Sequence, residues 1–308
     1  MSQGYEALRG GAAWLDLSAR GRLVARGRDR ARFLHNVSTN EVKKMTPGAG
    51  CYAFLLTPQG RIQADLCLFC FEDRFLIDTE RELREKARQQ ILRYKVADQV
   101  EIDDVTGETA AIGVEGPGAA GVLASLGAPA PAQPYAHLPW GEWTVAAVTV
   151  TAQPGWRIYA PAAARDEIAG RLQSAGAQAA TAEDARVARI ENGRPRYGED
   201  IRENTLPQET RQMHAVSFTK GCYLGQEIVE RIRAQGHVNK LLARVQLDSA
   251  ELPAAGAKLH AESAEAGEIT SAVYSPAAGK AIALAYLRTP FAEAGRALSM
   301  GGVAARVI

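Results

Sequence analysis

The sequence predicts an α+β protein, a sandwich of the ferredoxin-like kind over most of its length, followed by a small β-barrel or sandwich. Three observations carry that reading. Residues 51–71, "CYAFLLTPQGRIQADLCLFCF", form a hairpin pattern around Thr57-Pro58-Gln59-Gly60. Strand-like and helix-like segments then alternate, with hairpins among them. From residue 237 the texture changes to short apolar runs broken by Gly, Ser and Pro, as in "AGEITSAVYSPAAGKAIALAYL". At 308 residues the chain has room for two or three folding units.

Each element has its own signal. In the hairpin, Pro58 presets the turn dihedral and Gly60 accepts positive φ. A strand "RFLIDT" follows, then a helix over 79–96, where Thr79 and Glu82 suggest a capping box and Leu83, Ala87 and Ile91 share one face. "DQVEIDDVT" and "TAAIGVE" read as strands, with a helix "AAGVLASL" after the second. Residues 127–143 are rich in Ala, Pro and Gly and read as a loop. "TVAAVTVTA" and "GWRIYAP" read as strands, and "AAARDEIAGRLQSAG" as a helix. A further helix runs from Thr181 as N-cap to Gly193 at the left-handed C′ position.

Lysine and arginine number 36 against 35 acidic residues, so no global field attracts nucleic acid or an anionic membrane. One local exception, "SARGRLVARGRDRARF", crowds six arginines, and reads either as a solvated face or as an anion dock. No secretory h-region opens the chain and no run of 18 apolar residues occurs, so a cytoplasmic, membrane-free protein is expected. Four cysteines are too few for a disulfide framework.

"GPGAAG", residues 116–121, matches the dinucleotide fingerprint, but no acidic residue ends the next strand to hold a ribose. Cys67 and Cys70 lie three apart on a strand and point to opposite faces, so they cannot close on one ion. The five histidines lack metal spacing, and no metal site is expected. Asp65 shares a face with Gln63 and Cys67, and a carboxylate on so apolar a strand needs a partner or a purpose. Cys222 sits in "KGCYLGQE" just before an amphipathic helix expected to start near Leu224. The helix dipole and Lys220, two residues away, both favour a thiolate there. Gly221 and Gly225 suggest close approach by backbone or ligand. Glu227 and Arg231 read as a helix-surface pair.

"KGCYLGQE" resembles the signature of the YgfZ family, folate-binding proteins related to the aminomethyltransferase, or T-protein, of the glycine cleavage system. The resemblance extends to "DLSARGRLVARGRDRARFLHNVSTNEV", "GRIQADL", "RIENGRPRYGED" with "LPQE", and the barrel-like C-terminal run. It implies two interleaved ferredoxin-like α+β subdomains over residues 1–236 and an antiparallel β-barrel over 237–308, arranged around a central folate cavity. In the T-protein an aspartate on the second hairpin strand lies near the reactive nitrogen of tetrahydrofolate, and a tyrosine thirteen residues earlier lines the pocket. Asp65 and Tyr52 match those positions.

The departures are equally specific. The T-protein run "GYTGEDGFE" ends in a glutamate that holds the pterin, and Arg157 stands at that position here. A guanidinium offers donors only, so that pairing does not carry over. The T-protein also has an acidic residue where Cys222 stands. The resemblance therefore implies an auxiliary protein of iron-sulfur cluster assembly or repair. It would bind tetrahydrofolate or another reduced folate and meet iron-sulfur assembly or client proteins. Cys222 would be the functional thiol, tuned by Lys220, with Asp65, Tyr52 and Arg157 in the folate cavity and the arginine-rich segment facing the glutamyl tail. The alternative is a tetrahydrofolate-dependent aminomethyl or one-carbon transferase acting through Asp65. A third reading is a scaffold with a vestigial pocket.

Overall fold

The computed structural model describes residues 1–308. Two sheets and a barrel organise it, and the chain crosses between the sheets early. Strand Ala13–Asp16 enters the second sheet before Gly21–Arg26 enters the first. The first sheet is antiparallel, with strands in the order Gly50–Leu56, Ile62–Cys70, Phe75–Thr79, Gly21–Arg26 and Glu101–Asp104. The second has six strands, in the order Gln178–Ala179, Ala13–Asp16, Thr109–Glu115, Gly155–Pro161, Trp143–Ala146 and His137–Trp140. This crossing back and forth is the interleaving that the resemblance implies.

The C-terminal strands settle the choice between barrel and sandwich. Six of them, beginning with Lys240–Leu247, close into an antiparallel barrel. Its core uses small residues such as Ala243, Ala272, Ala283 and Ala285, which suit a narrow interior.

Two local signals hold, the cap at Thr181 and the helix-surface pair. Helix Ala182–Glu191 starts at Thr181, whose hydroxyl accepts from the Asp184 amide while Asp184 reaches back to the Thr181 amide. Gly193 follows it with φ +73°. The expected pair of Glu227 and Arg231 forms at 2.8 Å on helix Gln226–Gln235.

Four expectations need correction. Thr79 caps nothing: it ends a strand, fully buried, and its hydroxyl donates to the Asp65 carbonyl at 2.7 Å. The helix begins instead as a 3-10 turn, Arg81–Leu83, leading into Arg84–Leu92, although Leu83, Ala87 and Ile91 do face the core. The span read as a loop to residue 143 contains an edge strand, His137–Trp140, joined by a tight turn to Trp143–Ala146. An edge position tolerates Pro139. The strand expected over 144–152 stops at Ala146, and further on the buried Glu115 carboxylate takes the amides of Val150 and Thr151 at 2.8 and 3.0 Å. Those amides are thereby satisfied without a ladder partner. Finally, the arginine-rich segment is not one solvated face. Arg22 is fully buried, its guanidinium spent on the carbonyls of Ser18, Arg20, Thr106 and Thr109.

"GPGAAG" also has a structural explanation. Gly116 has φ +120°, and a β-carbon there would lie 2.5 Å from the Gly11 carbonyl oxygen. The glycine serves the close passage of two chain segments and not a ligand.

Candidate folate cavity and the exposed thiol

A cavity of about 410 Å³ opens where the two sheets meet helix Ala182–Glu191 and the segment after it. That is an ordinary size for a small-molecule site. Leu17, Val148 and Val150 supply apolar wall, and Tyr52, Asp65 and Arg157 all line it. The sequence expectation for these three residues thus converges on one space.

Asp65 lies on strand Ile62–Cys70, opposite Phe54 in the hairpin, while Tyr52 pairs with Cys67. Strand alternation puts both side chains on the cavity face. The Tyr52 hydroxyl donates to Asp65 Oδ2 at 2.8 Å. Asp65 Oδ1 is buried and has no partner. Burial first, then the nearby charge of Glu80, push the Asp65 carboxyl up to about 6, against the bond from Tyr52.

Arg157 is part of a charged wall. Its guanidinium lies 2.8 Å from Asp78, which also takes Arg20 at 2.8 Å and the Tyr159 hydroxyl at 2.9 Å. Asp78 is fully buried. Burial alone would raise its pKa, but Arg157 and Arg20 outweigh it and hold the carboxyl below its ordinary value. Glu80 joins the network through Arg20 and, at 3.0 Å, through Arg196. On the other side, Arg189 binds Glu199 and Asp200, each at 2.6 Å. Of the arginine-rich segment, Arg20 alone reaches the cavity.

The sequence reading missed Asp78, Glu80, Arg189 and Asp200. Asp78 carried a usable signal, since a lone carboxylate within "RFLIDT" is as anomalous as Asp65. The others lie in segments whose polarity looks like surface.

Lys220 and Cys222 lie elsewhere. Cys222 is exposed and takes no part in the cavity lining. The helix starts at Gln226 with Gly225 as its N-cap, so the thiol precedes the helix by a wider margin than expected. Lys220 is buried and turns its ammonium to the carbonyls of His35, Ser38 and Asn40. Burial pushes it down to about 8, against the nearby charge of Glu41. The Asn40 amide in turn bonds the Tyr52 carbonyl at 2.8 Å, which ties the thiol loop to the cavity floor through one layer. Gly225 has φ +81°, and a β-carbon would meet the Thr57 carbonyl oxygen at 2.6 Å. Gly221 faces open space. Close approach therefore explains Gly225 but not Gly221.

Comparison with known proteins decides the family. The GCVT N-terminal domain matches residues 1–220, and the glycine cleavage T-protein C-terminal barrel domain matches 240–307. The chain belongs to the glycine cleavage T-protein family. An aminomethyltransferase of Rubrobacter xylanophilus is 30% identical over 292 residues, covering 92% of this chain and 78% of that protein. One from Thermoanaerobacter pseudethanolicus is 25% identical over 308 residues, covering 96% and 83%. The crystal structure of the glycine cleavage system aminomethyltransferase T from Bartonella henselae superposes with a TM-score of 0.89 over 99% of this chain and 87% of that one, at 20% identity. That likeness establishes that the T-protein fold is kept from end to end. No helix is long and apolar enough to cross a membrane.

Proposed function

We propose that the chain binds a reduced folate in the central cavity and belongs to the folate-dependent one-carbon chemistry that its aminomethyltransferase relatives suggest. The observation that carries this is Asp65 Oδ1, a buried acceptor without a partner on the cavity wall. An unsatisfied acceptor there is costly unless a ligand N-H completes it. Reduced folates carry such N-H groups and, when bound, supply the nitrogen nucleophile that accepts a one-carbon unit. Asp65 would face that nitrogen, with Tyr52 fixing its other oxygen. A carboxyl raised to about 6 can hold or release a proton near neutrality. Arg157, locked to Asp78, cannot accept from a pterin. Calorimetry with 5-formyltetrahydrofolate tests the reading: binding should occur, and Asp65→Asn should weaken it at least tenfold. A silent titration of the unaltered protein would sink it.

A second reading uses the same folate but a different effector. The resemblance of "KGCYLGQE" to the YgfZ signature and the exposure of Cys222 outside the cavity support a role in iron-sulfur cluster assembly or repair. In that role Cys222 meets a client or assembly protein while the folate occupies the cavity. Complementation of a strain lacking its own YgfZ-type protein separates the two, scored by iron-sulfur enzyme activity. Loss of rescue in Cys222→Ala supports the cluster role, and loss in Asp65→Asn alone supports transfer chemistry.

A further inference from the structure

Seven arginines line the cavity, and five of them are committed to carboxylates: Asp78, Glu80, Glu82, Glu199 and Asp200. The remaining two are Arg81, exposed at the rim, and Arg194, half-buried. Neither forms an ion pair. Of the two, Arg194 is held in place by its backbone. Its amide donates to the Arg189 carbonyl at 3.0 Å, and its carbonyl accepts from Arg189 Nη1 at 2.7 Å. Pro195 follows and fixes the next φ. Arg189 is anchored in turn by Glu199 and Asp200. The side chain of Arg194 thus projects from a rigid segment into the cavity without a counterion. Its charge reaches the end of the cavity where Tyr52 stacks on His214 at 5.3 Å, since it depresses the His214 pKa after burial has done so.

A partly desolvated guanidinium is costly when unpaired, and its fork of donors matches a carboxylate in bidentate geometry. We propose that Arg194 is the specificity residue that selects a ligand bearing a carboxylate tail, the glutamyl end of the reduced folate, over a tail-less pterin ligand. This rests on the folate reading above. It relocates the anion dock from the arginine-rich segment near residues 20–32 to the loop after helix Ala182–Glu191. Arg81 at the rim is positioned for further glutamyl groups on a polyglutamylated ligand.

The test compares two probes by calorimetry, 5-formyltetrahydrofolate and 5-formyltetrahydropteroate, which lacks the glutamyl residue. The unaltered protein should bind the folate at least tenfold more tightly. Arg194→Gln should erase that preference, leave pteroate affinity unchanged, and restore part of the preference when Lys is placed there instead. Because the Arg194 side chain bonds to nothing in the protein, its replacement should leave the melting temperature near that of the parent. Asp65→Asn should weaken both probes alike. A tail preference that survives Arg194→Gln, or equal binding of the two probes by the parent, overturns the assignment and leaves the folate reading standing. Absence of binding by either probe removes the folate reading and this assignment together.

Discussion

Asp65 concentrates the chemistry of the cavity in one side chain. One oxygen is fixed by Tyr52 and the other is buried without a partner. Its carboxyl sits at about 6 in the fold against an ordinary 3.8, because burial disfavours the charge. The folded state therefore holds the proton more tightly than the unfolded chain between those values. Stability from this group is fully present below about pH 4 and is lost as pH rises through about 6. The lost amount is roughly 2 to 3 kcal/mol. Urea denaturation at pH 4 and pH 7 checks this. The parent should lose more stability than Asp65→Asn over that interval, and matching losses would show that the carboxyl titrates normally. Strand alternation marked this residue in the sequence, as the family resemblance marked Tyr52. Neither marked the inward turn of Lys220, because three backbone carbonyls from residues 35–40 exist as a group only after folding.

The element that carries the exposed thiol is the loop entering helix Gln226–Gln235. Its geometry is set by contact with the hairpin turn at Thr57 to Gly60 and by the grip of Lys220 on residues 35–40. The two glycines of "KGCYLGQE" should consequently respond differently to substitution. Gly225→Ala places a β-carbon 2.6 Å from the Thr57 carbonyl oxygen at φ +81°, and should cost about 1 to 3 kcal/mol. Gly221→Ala enters open space and should stay within about 0.5 kcal/mol of the parent. Denaturation midpoints of the two variants measure this directly, and equal midpoints would mean that the turn does not constrain the helix. Elsewhere, elements with their own caps, such as the helix after Thr181, were legible in the sequence. Elements shaped by distant groups were not. The strand that stops at Ala146 does not resume at Val150 and Thr151, whose amides go to Glu115, far away in sequence.

At the scale of the whole molecule, Asp200 is one of the links between the barrel and the α+β part, beside the apolar packing of Ile190 on Leu242, Val273 and Leu284. One oxygen of Asp200 takes Arg189 at 2.6 Å and the Arg196 amide at 3.0 Å, and the other takes the hydroxyls of Thr270 and Ser271 on the barrel, each at 2.6 Å. The same Arg189 pins Arg194 at the cavity, so barrel docking and the ligand wall share one carboxylate. Asp200→Ala should cost about 1 to 3 kcal/mol, because the Ser271 hydroxyl loses its acceptor, while Arg189 keeps Glu199 and Thr270 keeps the Leu284 carbonyl. Urea denaturation of the variant and the parent measures the difference. A loss below about 1 kcal/mol would show that the remaining contacts hold the barrel without this carboxylate.

By itself, the sequence determined the α+β class, the early hairpin, the change to β texture near residue 237, and the candidacy of Tyr52, Asp65 and Cys222. These follow from periodicity, capping and turn chemistry, or from motif resemblance, all of which act over short stretches of chain. Only the tertiary structure decided which charges share a space. It gathered Arg20, Asp78, Glu80 and Arg157 from separate strands into one wall and left Arg194 without a carboxylate. It also placed Cys222 outside the cavity that holds Asp65. Ion pairing and burial depend on distances between residues far apart in the chain, and no local pattern records them.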